Sequence, residues 1–159
     1  MKPRVYVETT IVSYLTARPS RDLILAAQQE VTRQWWEERR GHFDIYVSQL
    51  VLDEAGRGDP EAAKRRLEYL HGVPRLQVTD SALRLARDLV QAHALPEQAV
   101  EDALHIALAA VHGLDLLITW NCRHIANAEL IPAVRATIED RGYDSPTICT
   151  PTELMGESL

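Results

Sequence analysis

Short apolar runs are spaced along the chain and predict the strands of a sheet. The first, residues 4–7 with the sequence RVYV, is rich in β-forming residues and shows no polar alternation. A run without alternation is typical of a strand that is buried on both faces, as in a parallel sheet. Five strands are predicted in this way, over residues 4–7, 44–48, 76–78, 115–119 and 146–149.

Longer segments between these runs carry apolar residues every three or four positions and predict amphipathic helices. Ser20, Asp59 and Asp80 are expected to cap three of them, because such residues satisfy the first N–H groups of a helix. Pro132 is expected to interrupt or restart the last helix. The predicted helices cover residues 11–15, 21–40, 49–55, 60–71, 80–93, 97–112 and part of 125–140.

Strands that alternate with helices predict an α/β layered domain with a mainly parallel central sheet. In such sheets functional sites form beyond the carboxyl ends of the strands, where the strand order reverses. The residues directly after the predicted strands are therefore the candidates for chemistry. They are Glu8, Thr9, Thr10, Ser48, Thr119, Trp120 and Asn121.

Composition and charge narrow the class of protein. The chain has 17 Lys and Arg against 23 Asp and Glu, a net charge of −6, and 46% hydrophobic residues. No apolar stretch approaches the ~20 residues needed to cross a bilayer, and no signal-peptide pattern is present. The two cysteines, Cys122 and Cys149, form no zinc or disulfide motif. We expect one soluble, cytosolic domain over residues 1–159, without a membrane partner, that does not bind nucleic acid through bulk charge.

Three carboxylates stand in apolar surroundings. Glu8 follows the first strand directly, and Glu54 lies on a short predicted helix. Asp102 lies in a narrow polar window, with Glu101 and His105, on a helix that is otherwise apolar around most of its circumference. A carboxylate in such a position is costly unless it is paired, hydrogen-bonded or bound to a metal. Capping, a solvated helix face and a salt bridge are the structural alternatives for the three carboxylates.

These carboxylates, with nearby hydroxyls and an amide, form an all-oxygen donor set if they converge. Hard oxygen donors suit Mg²⁺ or Mn²⁺ rather than Zn²⁺. Such ions neutralise phosphate, lower the pKa of water and orient an attack on phosphorus. The pattern therefore indicates phosphodiester chemistry, and the chain has neither a glycine-rich phosphate loop nor a serine-hydrolase elbow.

Nearly the whole chain resembles the PIN-domain family, in particular the VapC-type toxins of bacterial and archaeal toxin–antitoxin pairs. The most specific stretches are residues 5–10 (VYVETT), 102–109 (DALHIALA) and 117–121 (LITWN). The resemblance implies a three-layer α/β/α sandwich with a parallel sheet. It also implies a ribonuclease that depends on Mg²⁺ or Mn²⁺ and leaves a 5′-phosphate.

The resemblance also assigns roles to individual residues. It implies that Glu8, Glu54 and Asp102 are metal ligands and catalytic residues. Asn121 is then a neutral ligand or a group that positions water. The supporting residues, which orient the carboxylates or the substrate, are expected to be Thr9, Thr10, Thr119 and Arg123.

Two positions depart from the family pattern. Glu8 replaces the usual Asp, and Asn121 stands where many relatives carry Asp. Both changes are expected to weaken metal binding, because the number and reach of carboxylates set the affinity of such a site. Either the site binds its ion with fewer charges, or Glu101 or Asp115 compensates.

Several further residues have both a functional and a structural interpretation. Arg123 and His124 are expected either to hold a scissile phosphate or to be exposed in a loop. His105 shares the polar window with Asp102, but the chain has no paired-histidine zinc motif. Trp35 and Trp36 are expected to be core or interface anchors, with one facing inward and the other outward.

The leading hypothesis is a metal-dependent endoribonuclease, the toxin of a type II toxin–antitoxin pair. RNA is then the substrate, a cognate antitoxin is the partner, and the assembly is a homodimer. The alternative is a PIN-like binding or assembly module that has lost catalysis, motivated by Glu8 and Asn121 together. A phosphatase with an aspartyl nucleophile is disfavoured, because it requires Asp in the place of Glu8.

Overall fold

A computed structural model describes residues 1–156, so the last three residues of the expected 1–159 domain lie outside the described part. All five predicted strands are present, and their ends fall within two residues of the predicted ends. The strands are β1 (Arg4–Val7), β2 (Asp44–Ser48), β3 (Arg75–Leu76), β4 (Leu116–Ile118) and β5 (Thr147–Cys149).

The predicted helices are also present, with some changes at their ends. Within residues 1–156, no helix is long and apolar enough to cross a membrane. The α-helices are α1 (Thr9–Thr16), α2 (Leu23–Gln34), α3 (Gln49–Ala55), α4 (Pro60–Leu70), α5 (Asp80–Gln91), α6 (Val100–Val111) and α7 (Ile131–Asp140). A π-helical turn at Trp35–Arg39 and three 3₁₀ segments, at Arg40–His42, Glu97–Ala99 and Pro151–Leu154, complete the helical structure.

The strands form one sheet in the order β3-β2-β1-β4-β5, and every neighbouring pair is parallel. Val5 of β1 is in register with Ile45 of β2 on one side and with Leu116 of β4 on the other. The chain extends the sheet from β1 first in one direction and then in the other, so the strand order reverses beside β1. A ligand crevice is expected at that reversal. The predicted three-layer α/β/α fold is confirmed, and the described sheet is parallel throughout.

Strand β1 lies at the centre of the core. Val5, Tyr6 and Val7 have no exposed surface. Burial on both faces is the reason for the continuous apolar run. Glu8 directly follows β1 and begins the turn into α1, so its carboxylate is almost completely buried.

Helix α2 differs from its prediction at both ends. Asp22 caps it by accepting a hydrogen bond from the N–H of Leu25, whereas Ser20, the predicted cap, lies two residues earlier. The helix ends at Gln34 and passes into the π-helical turn. Trp35 is fully buried and Trp36 is 7% exposed, so the expectation that one of them faces outward is wrong. The wider turn allows two successive indoles to point into the core.

The starts of two later helices agree with the predictions, although the residue that caps the first of them differs. Thr79, not Asp80, caps α5 by accepting from the N–H of Ala82. Asp80 occupies the first turn, where a negative charge interacts favourably with the helix dipole. Pro132 lies in the first turn of α7, where its missing N–H would have no partner in any case, so the prediction that it restarts the last helix is confirmed.

A buried hydrogen bond between α2 and the loop after β4 gives a test of the core. The indole N–H of Trp120 donates to Oγ1 of Thr32 at 2.6 Å, and Thr32 has no exposed surface. Replacing Thr32 by Val leaves the indole N–H without an acceptor. We expect the free energy of unfolding, measured in urea, to fall by about 1–3 kcal/mol.

The matched control for this substitution is Thr137→Val on α7. The Thr137 hydroxyl donates to the carbonyl of Ala133 on a half-exposed helix surface. We expect its loss to change the free energy of unfolding by less than about 0.5 kcal/mol. Equal effects of the two substitutions would contradict a contribution from the indole hydrogen bond.

Candidate metal centre

The carboxylate of Glu8 lies where β1 meets α1, and Glu8 is only 4% exposed. Its Oε1 accepts three hydrogen bonds, from the N–H of Thr10 at 3.1 Å and from the hydroxyls of Thr10 and Thr119 at 2.6 Å each. The first of these bonds makes Glu8 the N-cap of α1. Together the three donors replace part of the hydration that a buried carboxylate loses.

Glu54 reaches the same region from α3. Its Oε1 accepts from the hydroxyl of Thr9 at 2.5 Å and from Nε2 of His105 at 2.7 Å. Thr9 begins α1 and His105 lies on the second turn of α6, so three helices meet at this carboxylate. The side chain of Glu54 is 16% exposed and that of His105 is 1% exposed. The imidazole is therefore closed off from solvent, whereas the carboxylate remains accessible.

Hydrogen bonds and charges together outweigh burial in the electrostatics of this pair. Burial alone raises the pKa of Glu54 and lowers that of His105, because it disfavours both charged forms. The hydrogen bond and charge of His105, with the hydroxyl of Thr9, nevertheless bring the pKa of Glu54 well below its ordinary value. The hydrogen bond to Glu54 and the charges of Glu8, Glu54 and Asp102 raise the pKa of His105. All three predicted carboxylates therefore lie close enough to act on one buried imidazole.

The second ring nitrogen of His105 faces the sheet. The hydroxyl of Tyr6 lies 2.7 Å from Nδ1 and 2.8 Å from Oγ of Ser48. Ser48 ends β2 and caps α3 by accepting from the N–H of Val51 at 3.2 Å. Burial raises the pKa of Tyr6 well above its ordinary value, so the phenol keeps its proton.

Asp102 lies on the first turn of α6 and contacts a different histidine. Its Oδ2 accepts from Nδ1 of His124 at 2.9 Å. The backbone N–H of His124 donates to Oδ1 of Asn121 at 3.0 Å, so Asn121 shapes the turn that carries this histidine. The amide oxygen of Asn121, predicted to bind a metal or a water, therefore uses one of its two lone pairs to hold the backbone. The side chains of Asp102 and His124 are 24% and 15% exposed.

Glu8, Glu54 and His105 lie close enough to share a metal ion. One potential ligand atom of each lies within 4.8 Å of the other two. The hydrogen bonds of both carboxylates fall on Oε1, so Oε2 of each accepts none from residues 1–156. Two such oxygens suit Mg²⁺ or Mn²⁺, which prefer hard oxygen ligands. Asp102, the third predicted ligand, lies outside this group.

The predicted threonines all contact the carboxylates or the loop beside them. Thr10 connects the Glu8 carboxylate to the loop after β4, because its Oγ1 donates to Glu8 and accepts from the N–H of Trp120 at 2.8 Å. Thr119 does the same, and its Oγ1 accepts from the N–H of Asn121 at 2.9 Å. These hydroxyls therefore orient Glu8 and fix the loop after β4 together.

The other charged candidates differ in their distance from the carboxylates. Glu101 forms a two-pronged ion pair with Arg57, at 3.2 Å for each bond, on the exposed surface, and its carboxyl also lies beside that of Glu54. Asp115 precedes β4 and accepts from the N–H of Arg4 at 2.8 Å, so it lies at the opposite edge of the sheet. Asp115 is therefore too far away to compensate for Asn121, whereas Glu101 adds a carboxyl beside Glu54. Arg123 is exposed in the loop after β4.

The contacts of the two histidines with carboxylates are not apparent from the local sequence pattern. The helical pattern places His105 in a polar window, yet the side chain is fully buried. Its position three residues after Asp102 was the available signal, because residues three apart share a helix face. A buried imidazole needs a partner for each nitrogen, and a nearby carboxylate is a natural one. For His124 the only signal was its position in the loop after a strand.

Comparison with known families identifies the class of protein. The PIN domain family matches residues 5–130, which include Glu8, Glu54, Asp102 and Asn121. The chain therefore belongs to the PIN domain family, as the resemblance predicted. Comparison with curated proteins gave no match.

Two solved structures share the fold. The VapC20 toxin of Mycobacterium tuberculosis, which cleaves the sarcin-ricin loop, is similar with a TM-score of 0.59 and 16% identity, over 87% of this chain and 95% of its own. VapBC2 from Rickettsia felis, solved with a DNA fragment from its promoter, has a TM-score of 0.59 and 15% identity, over 92% and 98%. At these identities the similarity concerns the fold.

The contact between Thr119 and Glu8 gives a test of how the buried carboxylate is stabilised. Replacing Thr119 by Val removes the hydroxyl that donates to Glu8. We expect a loss of about 2 kcal/mol in the free energy of unfolding, because a hydrogen bond to a charged group contributes about 1.5–3 kcal/mol. Urea unfolding measures the loss.

Thr119→Ser is the matched control, because it keeps the hydroxyl and removes only a methyl group. We expect it to lose about 1 kcal/mol, the contribution of one buried methyl group. If Thr119→Ser loses as much as Thr119→Val, the hydroxyl does not stabilise Glu8.

Proposed function

We propose that the protein is a VapC-type ribonuclease that hydrolyses RNA phosphodiester bonds with Mg²⁺ or Mn²⁺, with residues 1–159 as one PIN-like domain. The observation that carries this proposal is the meeting of Glu8 and Glu54. The two carboxylates come from different elements, and Oε2 of each accepts no hydrogen bond from residues 1–156. Two acids brought together in this way repel each other, and a divalent cation relieves that repulsion.

Glu8 and Glu54 are the residues that would hold the cation, with Asp102 as a further carboxylate beside them. When bound, Mg²⁺ or Mn²⁺ neutralises charge on a phosphate and lowers the pKa of water. The chain supplies the orientation of the ligands. Thr10 and the buried Thr119 hold Glu8, and Thr9 holds Glu54.

The loop after β4 forms the other side of the proposed site. The carboxylate of Asp102 accepts a hydrogen bond from Nδ1 of His124. Nε2 of His124 is then the ring nitrogen that is available to other groups. Asn121 holds this loop by binding the N–H of His124. Arg123 is exposed in the same loop, and we propose that it contacts an RNA phosphate.

The solved relatives motivate the biological part of the proposal. One of them is a toxin that cleaves the sarcin-ricin loop, and the other is a VapBC protein bound to promoter DNA. We propose that the present chain is also a toxin, with RNA as its substrate and a cognate antitoxin as its partner. We further propose that it forms a homodimer and acts in the cytosol. A net charge of −6 is consistent with RNA binding that depends on the cation and on local arginines.

Substitution of the carboxylates tests the nuclease proposal. We expect purified protein with MnCl₂ to cleave single-stranded or structured RNA. Glu8→Gln, Glu54→Gln and Asp102→Asn should each reduce the rate by more than the ~10–100-fold typical of residues that support a ligand. Gel analysis of end-labelled RNA measures the rate and the 5′-phosphate end.

The control is Glu139→Gln, which removes a carboxylate from the exposed surface of α7 and should cleave like the wild type. The absence of cleavage by the wild type on every RNA tested would contradict the proposal. Equal cleavage by Asp102→Asn would remove Asp102 from the mechanism.

A non-catalytic binding module is the second candidate. It is favoured by Asn121, whose side-chain oxygen is bound to the backbone and adds no negative charge to the site. Titration with MnCl₂ separates the two candidates. For a nuclease, Mn²⁺ at 100 times its Kd should stabilise the wild type by about 2.7 kcal/mol.

The stabilisation against unfolding that Mn²⁺ provides should disappear in Glu54→Gln and weaken in Asp102→Ala. It should persist in Glu139→Gln. Thermal unfolding with and without Mn²⁺ measures it. A wild type that unfolds identically with and without Mn²⁺ would favour the non-catalytic module.

A further inference from the structure

A continuous row of buried hydrogen bonds connects the sheet to the Glu54 carboxylate. Oγ of Ser48 lies 2.8 Å from the hydroxyl of Tyr6, which lies 2.7 Å from Nδ1 of His105. Nε2 of the same ring lies 2.7 Å from Oε1 of Glu54. Ser48, Tyr6 and His105 have no exposed surface, so water does not compete for these bonds. The row begins at the end of β2 and finishes at a proposed metal ligand.

The direction of the hydrogen bonds follows from Glu54. A carboxylate only accepts, so Nε2 carries a proton in either charge state of the ring. In the neutral ring, Nδ1 then accepts from the hydroxyl of Tyr6, whose oxygen accepts from the hydroxyl of Ser48. Oγ of Ser48 in turn accepts from the N–H of Val51 at 3.2 Å. Every donor in the row has an acceptor, and each hydrogen bond is donated in the direction of Glu54.

His105 has no lone pair left for a metal ion in this arrangement. Nε2 carries the proton given to Glu54, and Nδ1 is occupied by Tyr6. The carboxylates differ, because Oε2 of Glu8 and of Glu54 accepts no hydrogen bond from residues 1–156. Proximity alone would make His105 a third ligand. Its hydrogen bonds instead make it a partner of Glu54.

We propose that His105 is a positioning residue that holds the Glu54 carboxylate in one orientation, and that Tyr6 holds the imidazole in turn. The inference rests on the proposed function for the role of Glu54 as a ligand. A Glu side chain has three rotatable bonds and loses rotamer freedom when it is ordered. Here His105 and the hydroxyl of Thr9 both bind Oε1, so the side chain is ordered before a cation arrives. Cation binding then loses less side-chain entropy.

Two substitutions of His105 separate positioning from core packing. His105→Gln keeps an N–H donor near the place of Nε2, whereas His105→Met has a similar length and no donor. Tyr6→Phe keeps the aromatic ring and removes only the hydroxyl that contacts Nδ1. Calorimetric titration with MnCl₂ gives the affinity of each variant. Steady-state kinetics on an RNA that the wild type cleaves give kcat and KM.

We expect His105→Met to lose Mn²⁺ affinity and kcat by about 10–100-fold, the range typical of residues that support a ligand. The KM for RNA should change little, because Tyr6 and His105 are fully buried and do not contact RNA. His105→Gln should recover most of both losses, and Tyr6→Phe should fall between the Gln and Met variants.

Several outcomes would overturn the proposal. If His105 is a ligand, Tyr6→Phe keeps the wild-type Mn²⁺ affinity, because it removes no ligand atom, whereas the positioning role requires a loss in that variant. Wild-type affinity in His105→Met also refutes it. If His105→Met does not fold, Tyr6→Phe decides the question, and wild-type affinity in that variant refutes the proposal.

A second measurement needs neither metal nor RNA. In protein labelled with ¹⁵N-histidine, we expect a downfield proton signal from Nε2–H of His105, because it is buried and bound to a carboxylate. Glu54→Gln should shift this signal upfield, and Glu139→Gln should leave it in place. A signal that Glu54→Gln does not move would refute the contact.

The two proposals fail in different ways. A wild type that cleaves no RNA, yet keeps the His105 signal and the difference between the Gln and Met variants in Mn²⁺ affinity, refutes the nuclease and retains the positioning role. A wild type that cleaves RNA while all three variants match it in kcat and Mn²⁺ affinity refutes the positioning role alone.

Discussion

The removal of the Glu8 carboxylate from water is the constraint on which this edge of the sheet depends. Strand β1 is buried on both faces, and a charge at its end would cost several kcal/mol without compensation. Thr10 and Thr119 supply the hydroxyls that compensate for it, and the first of them also supplies a helix N–H. The same hydroxyls accept from the N–H groups of Trp120 and Asn121. One buried carboxylate therefore fixes both the start of α1 and the loop after β4.

Parallel pairing makes this arrangement possible, because it brings the carboxyl ends of neighbouring strands to one edge. Glu8 and Thr119 follow β1 and β4, and Ser48 is the last residue of β2; the three strands are adjacent in the sheet. Helix α6 then places His105 between the sheet and Glu54. The imidazole is surrounded by negative charge, which is why its pKa is raised in spite of burial.

The two departures from the family pattern each have a structural account. Glu8 has a longer arm than Asp, and this arm folds back to cap the helix that the residue itself precedes. Asn121 adds no charge, but its amide oxygen fixes the turn that brings His124 against Asp102. The site is thus less acidic than the family pattern implies, and each of two histidines is paired with one carboxylate. This pairing ties Glu54 and Asp102 to α6 and to the loop after β4.

Local patterns predict the alternation of strands and helices, the parallel sheet and the position of Glu8 at the end of β1. They do so because periodicity and continuous apolar runs depend on neighbours in sequence. They also marked Glu54 and Asp102 as acids in apolar surroundings. The partners of those acids required the folded chain. Glu54 and His105 are 51 positions apart, and Tyr6 and His105 are 99 apart, so no local pattern records their contact. The burial that turns His105 from a helix-surface residue into a partner of Glu54 exists only when α3 and α6 pack around β1.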